Sequence, residues 1–468
     1  MVSIEKINFE TINTDLILQN LKFIGVFEKD NYSIFVLEKA FELIKKKEKY
    51  FLKKEGKRKF IKTNKNYLEV LNEFRKFIPE NEFKNYKNIP FGGIGYLGYE
   101  YFNEVEDIKF NKKYHDNLYD CNFIFGRTFL ILDYLKKEIL ILSMKYLNET
   151  KSIDTKSNVK KVKKEVENIL NKKNYSKKGN LTPYFYKIIQ NESKNEFLSK
   201  INYIKKEIEN GNLIQCVLSR NIKIKTNIPF LNLYKRLRKN NPSPYMFYFN
   251  FDDITLFGTS PESMVSVKDE IILVNPIAGT RKRGCTKFED NLLIEDLLND
   301  KKEQAEHLML VDLARNDLGK VSQKNTVNVK EYMNIEKFES VIHIVSKVNG
   351  LLEKNKTSYD VIKATFPAGT VTGAPKLQSI KTIELLEKDR RGPYAGLIGF
   401  FDFYGNFDSC ITIRSAVCKE DTIRLQAGAG IVYDSIPEKE YLETENKIKS
   451  LLKVIKEEVK KQDDTFIG

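Results

Sequence analysis

From Asn195 onward, short apolar runs at Gln215–Leu218, Ile271–Pro276, Ile411–Val417 and Thr422–Gln426 alternate with helical patterns such as Glu196–Asn210. A chain that switches between periods of 2 and 3.6 in this way must combine sheet with helix, so an α+β fold is expected. No self-similarity at a period of 20–50 residues is visible, which disfavours a solenoid. No run of 18 apolar residues occurs, and Met1–Glu10 lacks the apolar centre of an export signal. A cytoplasmic protein that does not enter a membrane is therefore expected.

Composition divides the 468 residues into 1–150, 151–190 and 191–468. The first part is expected to be regulatory or structural, the second a linker, and the third the domain that carries chemistry. Within the first, Thr128–Asp133 and Glu138–Ser143 read as a hairpin. Within the second, Val159–Leu170 reads as a helix and Gly179–Pro183 as a turn. The 79 Lys and Arg exceed 64 Asp and Glu by +15, but the excess is mostly Lys dispersed among Asn, Ile and Glu. Runs such as Lys45–Lys47 and Lys160–Lys161 lack interleaved aromatics and read as solvated helix faces, so no nucleic-acid partner is expected. Five cysteines, an odd number without a CxxC spacing, read as reduced thiols.

Two carboxylate pairs stand out. Glu303 and Glu306 lie three apart in one helical stretch, and Glu440 and Glu443 lie three apart in another, so each pair shares a helix face. Four such carboxylates suit a hard cation such as Mg²⁺, although an isolated ExxE is usually only a wet helix face. Three glycine-rich turns, PIAGTRKRG from Pro276, PAGTVTGAPK from Pro367 and QAGAG from Gln426, permit close backbone approach to an anion. None is a nucleotide fingerprint, and each alone reads equally as a tight turn. His343 in the run Val341–Val345 fits either a core histidine or a proton carrier. Arg414 in ITIRSAV requires a buried partner, which an ion pair or a carboxylate ligand would equally supply.

Taken in order, IQCVLSR, FGTSPE, PIAGTRKRG, AEHLMLVDLARND, ESVIHIVS, PAGTVTGAPK, RRGPYAG, ITIRSAV, QAGAGIV and EKEYLETENK resemble the chorismate-utilising enzymes, in particular the chorismate-binding domain of anthranilate synthase component I. The resemblance spans Glu196 to about Ile455 and extends weakly to PFGGIGYLGYEYF at Pro90–Phe102. It implies an antiparallel β-sandwich with helices packed outside. It further implies Mg²⁺ held by Glu306 and Glu443 with Glu303 and Glu440 in support. Tyr394, Arg414, Lys447 and the backbone of Gly428, Ala429 and Gly430 match positions that bind the two substrate carboxylates, alongside the Ala278, Gly279 and Thr280 turn. Glu262 matches the general acid, His343 a proton-transfer group and Thr370 a substrate-orienting hydroxyl.

Two positions discriminate among such enzymes. Relatives that attack with water have Lys where this chain has Gln215, and folate-branch relatives, the aminodeoxychorismate synthases, commonly have PIKGT where this chain has Ala278. The resemblance therefore points to conversion of chorismate and ammonia to anthranilate and pyruvate in tryptophan biosynthesis, with the folate-branch reaction as the alternative. None of the cysteine contexts provides a glutaminase nucleophile, so ammonia is expected from a separate glutamine amidotransferase subunit. Tryptophan-inhibited relatives carry a Leu-Leu-Glu-Ser-type motif and an Asn-Pro-Ser-Pro-Tyr-Met segment. The second is present as Asn241–Met246, with Pro244, Tyr245 and Met246, and the nearest match to the first is Val36–Lys39, ending in Glu38 and Lys39. An inhibitor site altered by Lys39 is expected.

Overall fold

The computed structural model describes residues 2–79, 88–110, 112, 118–171, 183–338 and 341–467, with side chains to 461. Most of the expected turn at Gly179–Pro183 lies outside the described residues. Hydrogen-bonded strands form one continuous network in which every pairing is antiparallel. Parts of several strands alternate their side chains between two cores, as a period of two allows. Phe27, Ile34 and Phe129 enter one core, whereas their neighbours Val26, Phe35 and Leu130 enter the other. The first core is lined by aromatics from both halves of the chain, including Phe123, Phe249 and Phe401. The second lies under the helices Thr14–Asn20, Thr155–Asn171, Phe230–Asn240 and Pro437–Ile467. This is the mixed helix and antiparallel sheet expected.

Strands from before and after residue 190 share the network. Gly25–Lys29 pairs with Tyr245–Asn250, and Ile94–Leu97 pairs with Leu397–Phe401. The expected hairpin is present, with Thr128 opposite Ser143. The helix expected at Val159–Leu170 runs from Thr155 to Asn171 and buries Val159, Val166 and Ile169. Lys45 and Lys46 correct an expectation: they end the strand Tyr32–Lys46 and not a helix, and Lys45 is fully buried against Glu104 at 2.8 Å. Buried Lys needs such a partner. No helix among the described residues is long and apolar enough to cross a membrane.

A second correction concerns Ile411–Val417, expected as one strand. Two strands, Phe407–Ile411 and Ser415–Lys419, flank a break at Thr412–Arg414. There Ala395 N–H donates to Thr412 O and Thr412 N–H donates to Gly396 O, each at 2.9 Å. Arg414 itself takes a left-handed φ of 50°, uncommon for a residue with a Cβ. The break turns an arginine out of the ladder at the point where a cavity opens.

Candidate active site

A cavity of 240 Å³ lies between the sheet and two helices, Lys301–Gly319 and Pro437–Ile467. The first helix starts at Asp300, whose carboxylate accepts the N–H groups of Lys302 and Glu303. One turn further on, Glu306 reaches the cavity, and Leu310 follows at the helical repeat. The second helix presents Glu443, Lys447 and Leu451 at successive i, i+4 positions. Two helices far apart in sequence thus aim carboxylates into one space.

Like charges and burial act on these acids together. Burial, then the charge of Glu303, pushes the Glu306 carboxyl above its ordinary value, while Gln215 Nε2 donates to Glu306 Oε1 at 2.8 Å and lowers it. Burial also raises Glu303 and Glu440, and the Glu443 charge adds to the latter. Neither Glu303 nor Glu440 lines the cavity. Glu303 is engaged by Arg281 at 3.4 Å, and Arg281 also holds Asp300 at 2.9 Å. Among the described residues no group of three His, Cys, Asp or Glu side chains converges tightly enough to hold a metal alone. The donor set nonetheless fits Mg²⁺, which takes one or two carboxylates and completes its shell with water and substrate oxygens.

Cationic and hydrogen-bond-donating groups line the same cavity. Arg414 is half-buried and faces Glu443 and Tyr394, with desolvation lowering its pKa. No hydrogen bond or ion pair among the described residues engages its guanidinium, so the internal partner that a structural arginine would have is lacking. Lys447 Nζ is shared between Glu443 Oε1 at 2.6 Å and Gly428 O at 2.8 Å.

The strand Thr422–Ile431 supplies backbone donors by its register against Gln215–Thr226. Val217 N–H donates to Thr372 O and Ser219 N–H donates to Glu387, so these residues point their backbone away from the neighbouring strand. Their partners Gly430 and Gly428 must do likewise, turning their N–H groups toward the cavity. Ala429 corrects the expectation at this point. Its pairing with Leu218 uses its N–H in the ladder, its side chain is fully buried, and it does not line the cavity.

Glu262 follows Pro261 in the gap between the strands Thr255–Ser260 and Ser263–Lys268. Burial raises its carboxyl to about 7, so it holds a proton near neutrality. The Thr370 hydroxyl lies beside it, its oxygen buried outside strict hydrogen-bonding geometry. His343 Nδ1 donates to Gly279 O at 2.9 Å and lies 3.1 Å from Thr280 Oγ1. Gly279 adopts φ +68°, a conformation that presents its carbonyl to the ring at low steric cost. Burial lowers the His343 pKa, so the neutral imidazole keeps a lone pair on Nε2. Gln215, Ala278, Gly279, Thr280 and Tyr394 also line the cavity.

The expected inhibitor cluster does not assemble. Tyr245 and Met246 pair with Lys29 and Glu28, whereas Glu38 bonds Arg127 at 2.7 Å and Lys39 bonds Asp252 at 2.7 Å, beyond the opposite end of that strand. Pro244 precedes Tyr245 in the connection. The segment beside Asn241–Met246 is therefore Val26–Lys29, and Lys29 Nζ pairs with Asp408 at 2.6 Å, where Tyr245 OH also donates at 3.0 Å. A match by apolar-Glu spacing fits Val26–Lys29 as well as Val36–Lys39, and only strand pairing separates them. Sequence reasoning also missed Arg391 and Glu387, whose buried ion pair at 2.6 Å backs the cavity.

The fold and this cavity define a chorismate-binding protein: the chain belongs to the chorismate binding enzyme family, which matches residues 30–453. Among curated relatives, the chain is 41% identical to anthranilate synthase component 1 of Spirochaeta aurantia, covering 90% of this chain and 87% of that one. It is 39% identical to the same component of Aquifex aeolicus, covering 91% and 86%. The crystal structure of anthranilate synthase component I from Streptococcus pneumoniae superposes with a TM-score of 0.78 at 35% identity, covering 90% and 92%.

Proposed function

We propose that this chain is the large subunit of an anthranilate synthase, a lyase that converts chorismate and ammonia to anthranilate, pyruvate and water. The observation that carries the reading is Arg414: a half-buried guanidinium with no hydrogen-bond partner among the described residues, in one cavity with carboxylates that fit a divalent cation. A dicarboxylate would satisfy Arg414 directly, and a cation held by Glu306 and Glu443 would supply counter-charge to it.

Arg414, Tyr394 and the Gly428 and Gly430 N–H groups bind and orient the carboxylates, with Lys447 adding charge and Thr370 fixing the ring. Mg²⁺, held by Glu306 and Glu443 and supported by Glu303 and Glu440, would supply counter-charge to the ring carboxylate. Glu262 gives its proton to the C4 hydroxyl, which departs as water while ammonia forms a bond at C2. The ammonium group so formed gives up one proton to become the amine, which returns the proton count of the site to its start. His343 Nε2 then takes the C2 proton as the C3–O bond breaks, the enolpyruvyl group leaves and is protonated to pyruvate, and the ring becomes aromatic. Gln215, a neutral amide already committed to Glu306, has no basic group with which to activate water. Ala278 offers no amine nucleophile, which separates the chain from the folate-branch alternative.

In this reading ammonia reaches the chain from a separate glutamine amidotransferase subunit, and the complex acts in the cytoplasm. Four of the five cysteines are buried, and none has the exposed elbow of a glutaminase. The test is to incubate the pure chain with chorismate, Mg²⁺ and ammonium and measure anthranilate fluorescence and pyruvate together. Equal amounts of both are expected. An aminated product that retains the enolpyruvyl group, with no pyruvate, would overturn the reading.

A further inference from the structure

The loop Arg391–Tyr394 carries a buried arginine that the steps above leave without a task. Arg391 is almost fully enclosed, and its donors reach four acceptors. Nε donates to Glu387 Oε2 at 3.0 Å, Nη2 to Glu387 Oε1 at 2.6 Å and to Val217 O at 2.7 Å, and Nη1 to Val371 O at 2.7 Å. Its guanidinium lies 4.6 Å from the Tyr99 ring centre and 5.7 Å from that of Tyr394. Val217, Val371 and Tyr394 all line the catalytic cavity.

Two of these bonds therefore end on the backbone of wall residues, Val217 and Val371, and the other two hold the guanidinium on Glu387. Val371 follows Thr370, Val217 lies two residues from Gln215, and Tyr394 shares the loop. The first half of the chain holds the other side of that loop. Glu100 Oε1 accepts Arg391 N–H at 2.7 Å, Glu100 Oε2 accepts Gly392 N–H at 2.9 Å, and Tyr99 N–H donates to Gly392 O at 2.7 Å. Glu387 is in turn held by Ser219, whose hydroxyl donates to it at 2.7 Å and accepts from Gln426 of the cavity wall.

We infer that Arg391, anchored by Glu100, is a positioning residue for the chorismate-binding wall, so that the first half of the chain shapes a site it does not line. The inference rests on the functional reading above and extends it. A planar guanidinium is required because it serves two carbonyls and a carboxylate at once, and the single ammonium of lysine lacks that spread. Misplacing Tyr394 and Thr370 weakens substrate binding and leaves the acids on the two helices in place.

The experiment compares the full chain with Arg391→Lys and Glu100→Gln, reading chorismate binding by calorimetry without ammonium and then KM for chorismate and ammonium with kcat. Chorismate affinity is expected to fall at least 10-fold in Arg391→Lys and by less in Glu100→Gln, with KM for ammonium unchanged. Wild-type affinity in folded Arg391→Lys would overturn the inference. So would a fall in kcat alone matching a loss of folded protein, since a merely structural arginine would do that. If Arg391→Lys does not fold, wild-type chorismate affinity in folded Glu100→Gln overturns the inference as well. Wild-type chain that binds chorismate but yields no anthranilate would count against the functional reading alone.

Discussion

Gln215 Nε2 donates to Glu306 Oε1 at 2.8 Å, joining a strand to the helix that aims carboxylates at the cavity. The bond lowers the Glu306 pKa against burial and the nearby glutamates. A hydrogen bond to a charged group contributes about 1.5–3 kcal/mol, or roughly 10- to 100-fold. Gln215→Ala is expected to raise the Mg²⁺ concentration needed for half-maximal rate within that range, with thermal stability little changed. A Mg²⁺ titration of anthranilate formation checks it.

Glu443→Gln removes a carboxylate from the cavity and the partner of Lys447 at 2.6 Å. Turnover is expected to fall by orders of magnitude with the fold retained, and excess Mg²⁺ to restore it only in part. Unchanged kinetics would refute the assignment of Glu443 as a metal ligand.

Glu262 sets a pH limit. Burial raises its pKa from 4.5 to about 7, so the acid form needed at C4 is lost as pH rises through that value. With free ammonia held constant, kcat/KM should decline above about pH 7, and Glu262→Gln should abolish that limb along with most of the rate. The folded state binds this proton more tightly than the unfolded chain, so stability from this group also falls between pH 4.5 and about 7. Thermal melts of Glu262→Gln should lose that part of the pH dependence.

Gly428→Ala and Gly430→Ala separate two functions of one strand. A Cβ at Gly428 would lie 3.1 Å from Tyr394 Oη and 3.0 Å from Leu218 O. One at Gly430 would lie 2.7 Å from Gln215 Nε2. The first variant is expected to raise KM for chorismate, and the second to act mainly on Mg²⁺ dependence by displacing the Gln215 amide. Steady-state kinetics in both ligands distinguishes them.

Much of the site was legible because its signals are local. Three-residue spacing places Glu303 with Glu306 and Glu440 with Glu443 on one face each, and apolar context singles out Arg414 and His343 as costly to bury. The break at Thr412–Arg414 was not legible, because a run of β-branched residues reads as unbroken strand whatever its φ angles do. Lys45 was misread because its partner Glu104 lies 59 residues away.

The sequence by itself determined the mixture of helix and sheet, which residues share a face, and the order of motifs that marks the family. Tertiary structure alone decided that Glu306 and Glu443 face one cavity, that Ala429 belongs to the ladder, that Lys29 and not Lys39 stands beside Tyr245, and that Glu100 reaches Arg391. Periodicity reports only contacts within a turn or a strand. Which faces then meet depends on strand register and packing between segments hundreds of residues apart, and no local spacing encodes that.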